Sequence, residues 1–139
     1  MAIYFHFHDV QFQLGQKRPL KRWISNSIIE EGRVLGEINV IFCSDEHLLS
    51  MNQEHLDHDY YTDIITFDYC VPPVVSGDLF ISYDRVQDNA LRNSVSSMNE
   101  TYRVIIHGVM HLCGYADKEK TASKIMRSKE DYYLSKLEK

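Results

Sequence analysis

No stretch after Ser82 has the alternation or the β-branched density of a strand, so any sheet this chain builds must come from its first 82 residues. Four candidates lie there. Ile3-Tyr-Phe-His-Phe7 alternates, Glu37-Ile-Asn-Val-Ile-Phe-Cys43 is apolar and β-branched, and 62–67 and 78–82 are short strands on either side of a Pro72-Pro73 loop. The last two could pair directly. Leu20, Trp23, Ile24, Ser27 and Ile28 recur at helical spacing up to a stop at Gly32, and Ser44 followed by Asp45 and Glu46 starts a helix running to about Gln53. Beyond Ser82 the spacing predicts helices over 84–92, 98–112 and roughly 118–137, the second of them ending at Gly114. About four strands interspersed with about five helices predict an α/β (α+β) layered fold with a mixed sheet, in one domain covering residues 1–139.

Composition narrows the function classes. No apolar run approaches the roughly 20 residues that span a bilayer, and Met1-Ala-Ile-Tyr-Phe-His6 lacks the basic-then-apolar order of a signal peptide, so a cytoplasmic protein without membrane partners is expected. Cys43, Cys70 and Cys113 are odd in number and lack CxxC spacing, which argues against a disulfide framework and a thiolate zinc cage alike. The net charge of −5 gives no general reason to bind DNA or any other polyanion. The charge is uneven, however: residues 118–139 carry seven Lys/Arg against four Asp/Glu, and 44–68 carry seven Asp/Glu with no Lys or Arg. A polyanion would approach the C-terminal side.

The chemistry-bearing stretch is His107-Gly-Val-Met-His111-Leu-Cys-Gly114-Tyr-Ala-Asp117. Side chains four apart share one helix face, so His107 and His111 can offer two imidazoles to one ion. Gly114 is placed to take a left-handed conformation and turn the chain back, returning Asp117 as a third ligand. Three His and carboxylate ligands with one open position describe catalytic zinc, one ion per chain, whereas structural sites are closed by four. Taken singly, two histidines on a helix arise by chance and Asp117 could cap the next helix; the joint spacing favours the metal. The spacing is also that of the metzincin peptidases, H-E-x-x-H-x-x-G-x-x-H, but position 108 is Gly, so the helix supplies ligands without the peptidases' general base.

His107-Gly-Val-Met-His111-Leu-Cys-Gly-Tyr115 resembles the signature H-G-x-L-H-L-x-G-Y-D-H of the YbeY family of ribosomal RNA maturation factors. Upstream, Asn52, the block Thr62-Asp63-Ile-Ile-Thr66-Phe67 and the block Gly77-Asp78-Leu-Phe-Ile resemble that family's N…T-D-V-L-S-F…G-D-I in order and spacing, so the likeness spans about residues 37–117. The resemblance implies a metal-dependent endoribonuclease specific for single-stranded RNA, with ribosomal RNA precursor as substrate and the ribosome or small-subunit assembly proteins as partners. Two positions depart from it. Asp117 stands where the family usually has a third histidine, and Leu56 stands where it often has an arginine proposed to contact the phosphate.

Asp63 and Asp78 match family positions at strand starts. Turn chemistry is expected of Asp78, while Asp63 is the candidate catalytic carboxylate, orienting a ligand histidine or the attacking water, with capping of a turn an equal alternative. Asn52 is expected near a helix end, where it could serve as a C-cap, and Thr66, in phase with Ile64, either faces inward beside the site or fills a strand position. His55 and His58 with Asp57 and Asp59 read as a solvated acidic loop, His6, His8 and His47 as structural or exposed, and the Tyr60-Tyr61 pair as partial core or a stacking platform. Two rival functions stand beside the ribonuclease: a metal-dependent hydrolase of peptide or amide bonds, and a ribosome-assembly binding factor whose metal is mainly structural.

Overall fold

A computed structural model describes residues 2–56 and 62–137, with backbone alone for His55 and Leu56. The expectations for the acidic loop, for Tyr60-Tyr61 and for the Leu56 side chain lie outside the described residues. The elements run β1 (Ala2–Phe7), α1 (Lys17–Glu30), β2 (Val34–Cys43), α2 (Asp45–Leu56), β3 (Ile64–Asp68), β4 (Val74–Ser82), α3 (Tyr83–Arg92), α4 (Ser97–Leu112) and α5 (Lys120–Ser135). The four strands form one sheet in the order β1-β2-β4-β3. β1 and β4 both run parallel to β2, and β3 is antiparallel to β4, so the sheet is mixed as expected and its last two strands pair directly.

Strand alternation sorts the sheet into two faces. Ile38, Val40 and Phe42 of β2 and Val75, Leu79 and Ile81 of β4 point into the main core, where they meet Trp23, Ile24 and Ile28 of α1 and the buried face of α4. The residues out of phase with these, Cys43, Ile65, Phe67 and Phe80, gather instead around Leu48 and Met51 of α2 on the opposite face. Helix α4 is buried on nearly all sides: Val104, Ile105, Ile106, Val109, Met110 and Leu112 are all in the core. Each such side chain contributes about 1.5–3 kcal/mol through burial, which makes α4 the rigid centre of the molecule.

Three expectations are corrected. Asp78 is not a turn residue; it lies within β4 opposite Asn39 and Phe67, and it accepts a hydrogen bond from Asn39 Nδ2 (3.1 Å). Asn39 in turn meets His6 Nε2 at 2.9 Å, so three adjacent strands carry a polar ladder on the face away from the main core. Strand β4 begins at Val74, directly after the proline pair, and the sequence reading placed its start four residues too late. Asn52 is likewise inside a helix and not at its end, because α2 runs on to Leu56.

Position 108 is a point of tight approach between α4 and the sheet. A Cβ there would lie 2.7 Å from Ile64 Cδ1 and 3.0 Å from Leu79 Cδ1 and Cδ2. Gly108→Ala is therefore expected to destabilise the protein by about 1–3 kcal/mol, the cost of overpacking a filled core. A thermal midpoint unchanged in the alanine variant would refute the tight packing.

Candidate metal centre

Helix α4 starts at an N-cap, Ser96, whose hydroxyl accepts from the Asn99 amide at 3.0 Å. It ends in a Schellman pattern: Tyr115 N–H donates to Met110 O and Gly114 N–H to His111 O, both at 3.0 Å, with Gly114 at φ +105°. That conformation is costly for any residue with a Cβ, so glycine at 114 is what lets the chain reverse one residue after the helix cap. Arg33 Nη2 donates to the Cys113 carbonyl (2.9 Å), placing a cation at the negative end of the helix dipole. The reversed segment is then tied down. Tyr115 Oη donates to Glu31 Oε1 (2.6 Å), while Lys129 Nζ (2.9 Å) and Tyr133 Oη both reach Glu31 Oε2. Burial opposes the charge on Glu31, but these three donors outweigh it and hold the carboxyl below its usual range.

The turn brings Asp117 back over the helix. His107 Nε2 lies 3.0 Å from Asp117 Oδ2, His111 Nε2 lies 3.3 Å from the same oxygen, and the two imidazole nitrogens are 3.0 Å apart. Donors bound tetrahedrally to zinc at 2.0–2.2 Å are separated by about 3.3–3.6 Å, so the three atoms already stand close to ligand spacing. The donor set, two imidazoles and a carboxylate, suits zinc, and the residues present fit such an ion. Side-chain exposures of 21%, 26% and 35% for His107, His111 and Asp117 leave one side of the triad open to solvent. Asp117 does not cap the following helix; that position is Glu119.

Behind the triad stands a residue that the sequence reading passed over. Glu130 of α5, only 6% exposed, places Oε2 2.6 Å from His107 Nδ1 and Oε1 2.9 Å from Arg103 Nη1. An ionised carboxylate only accepts, so Nδ1 is the nitrogen that donates to Glu130, and Nε2 is the one that faces His111 and Asp117 and is available to a metal. Burial pushes Glu130 up, yet His107 and Arg103 hold it below its usual range. Burial pulls His107 down, and the hydrogen bond and charge of Glu130, helped by Asp117 and Asp63, leave it raised. The signal for Glu130 was present in the chain. With Met126 and Tyr133 it forms the buried stripe of α5, and a charge on an apolar stripe calls for a buried partner.

Asp63 lies beside this centre without a hydrogen bond to either histidine. Burial raises its carboxyl, with the charge on His107 acting in the opposite sense. It borders both clefts that flank the triad. One, of about 480 Å³, is lined by Asn52, Thr62, Thr66 and Lys118; the other, of about 310 Å³, by Asn89, Asn93, Ser123 and Arg127. His107 and Asp117 are common to the two. Thr66 is thus beside the site, as its phase with Ile64 allows, and the buried Asn52 borders the same cleft. The glycine that replaces the metzincin glutamate has a physical reason: position 108 faces the sheet, where a Cβ would press on the ends of the Ile64 and Leu79 side chains.

All three cysteines are free, and burial pushes Cys43 up to about 12 and Cys113 up to about 11, so these thiols remain protonated and take no part in the centre.

A mixed sheet backing a helix that offers two imidazoles and a returning carboxylate defines an α/β protein with a group that could hold a metal ion. Comparison with known proteins gives the class its family. The family described as Endoribonuclease YbeY matches residues 6–138, and the chain belongs to it. A relative from Cytophaga hutchinsonii named Endoribonuclease YbeY is 48% identical over 135 residues, covering 96% of this chain and 94% of its own. One of the same name from Bacteroides thetaiotaomicron is 46% identical, covering 97% and 98%. A solution structure of a Thermotoga maritima protein superposes with a TM-score of 0.68 at 26% identity, covering 98% of this chain and 89% of that one. No described helix is long and apolar enough to cross a membrane.

Proposed function

We propose that this chain is a zinc-dependent endoribonuclease that cuts single-stranded RNA, with ribosomal RNA precursor as its substrate and a place in cytoplasmic ribosome assembly beside the ribosome or small-subunit assembly proteins. The observation that carries the reading is the open-sided triad of His107, His111 and Asp117, with donor atoms 3.0–3.3 Å apart, in a chain of the YbeY family. These three side chains would hold one ion, which supplies Lewis acidity and activates water for attack on a phosphodiester. Glu130 fixes the tautomer and aim of His107. Asp63, beside His107 where the two clefts meet, is the candidate to orient the attacking water, and burial raises its carboxyl above the usual range. Arg103 bridges Glu130 and Asp131 and so keeps the wall behind the triad from being purely acidic.

A peptidase reading is weaker, because position 108 is a glycine packed tightly against Ile64 and Leu79 and supplies no general base at the metzincin position. Purified protein is expected to carry zinc and to cleave single-stranded RNA in a chelator-sensitive reaction, with duplex RNA resistant and zinc restoring activity. Cleavage of casein-like peptides without action on RNA would replace this reading with the peptidase. Ribosome co-sedimentation without cleavage would replace it with the assembly factor.

A further inference from the structure

Three cations border the two clefts: Arg103, Lys118 and Arg127. Arg103 is committed. Its side chain is 16% exposed, with Nη1 on Glu130 and Nη2 on Asp131. Arg127 differs, being 60% exposed, and its nearest carboxylate oxygen, Glu130 Oε1 at 3.8 Å, already receives Arg103 at 2.9 Å. Lys118 has no carboxylate partner among the described residues. The two uncommitted cations line different clefts, Lys118 the one bounded by Thr62 and Thr66 and Arg127 the one bounded by Asn93 and Ser123, and His107 and Asp117 of the triad line both. The floor of the second cleft is acidic, with Asp63 and the buried Glu100 in its wall, so a phosphate is repelled from the floor and retained at the rim.

We propose that an RNA strand lies across the rims of both clefts, with Arg127 holding the phosphate on one side of the scissile bond and Lys118 the phosphate on the other. The proposal rests on the ribonuclease reading and adds to it a path for the strand. Arg127 is the stronger contact, since its guanidinium can grip a phosphate with two parallel hydrogen bonds, with the Ser123 hydroxyl and the Asn93 amide beside it as further donors.

The test is a series of single-stranded RNA oligonucleotides extended one nucleotide at a time, separately on the 5′ and 3′ sides of the cleaved bond. Wild-type protein is expected to gain in kcat/KM when the first flanking phosphate is added on each side. Arg127→Gln should lose that gain on one side only, through a KM rise of about ten-fold, and Lys118→Gln on the other. On metal-depleted protein, binding of the same RNA should lose about 0.7 from the salt slope in Arg127→Gln, the share of one single-strand phosphate. Zinc content and thermal midpoint should stay at wild-type values in Arg127→Gln, which separates phosphate binding from support of Glu130. An active wild-type enzyme with a flat length dependence, or variants that lose the gain on both sides alike, would overturn the strand path alone. A wild-type enzyme inert on every RNA would overturn the ribonuclease reading instead.

Discussion

Alanine at His107 or at His111 should empty the centre, taking bound zinc from about one equivalent per chain to near zero and RNA cleavage with it. The triad has no donor in reserve: among the described residues it is the only group of three or more His, Cys, Asp or Glu with metal-ligand spacing. Two remaining ligands hold an ion weakly. Asp117→Ala should behave in the same way, while Asp117→His, which restores a third imidazole, should keep the metal. Because the cap of α5 is Glu119, loss of the Asp117 carboxylate carries no capping penalty, and the thermal midpoint of metal-depleted Asp117→Ala should stay near wild type. Elemental analysis of the purified variants decides the matter, and full occupancy in either histidine variant would remove that residue from the centre.

Glu130→Ala should cost about 3–5 kcal/mol of stability, since it leaves the guanidinium of Arg103 without its buried partner and His107 without its anchor. For a domain of this size that loss is on the order of 10–20 °C in the thermal midpoint. Zinc affinity should fall by about 10–100-fold, the usual effect of removing the group that orients a ligand histidine. The metal-free protein adds a pH signature. Glu130 is lowered on folding, so its contribution is present above its ordinary 4.5 and is lost as pH falls through the folded value. His107 is raised, so its contribution is full below its ordinary 6.5 and is lost as pH rises through the folded value. The difference in midpoint between wild type and Glu130→Ala should accordingly be largest between about pH 4.5 and 6.5. Calorimetry across that range, with zinc titration of both proteins, is the measurement; a Glu130→Ala variant that binds zinc as tightly as wild type would show that His107 needs no anchor.

Much of this architecture is legible along the chain because it is written in short periods. Residues 3–7 alternate and residues 98–112 repeat at helical spacing, and both became the expected elements. The triad was equally readable, as its three donors lie within eleven consecutive residues and share one helix and one glycine turn. What escaped was long-range. The partner of His107 sits 23 residues away on another helix, and no spacing rule connects the two. Asp63 was the nearer guess from strand chemistry, yet the hydrogen bond went to Glu130, which α5 brings against α4 when Met126 and Tyr133 are buried. Asp78 illustrates the converse: an aspartate after glycine suggests a turn, but the parallel register with β2 sets it opposite Asn39, whose amide satisfies it in mid-sheet.

The anchor carried by α5 also sets an order of events. During synthesis His107, His111 and Asp117 are made before Glu130, so a growing chain holds all three donors while nothing yet aims the first of them. The Glu31 oxygen that steadies the returning turn waits for the same helix, since Lys129 and Tyr133 both reach it from α5. On the proposed zinc reading, tight loading is expected to be a late step of maturation, and a polypeptide interrupted before residue 120 is expected to bind zinc weakly even with all three donors in place.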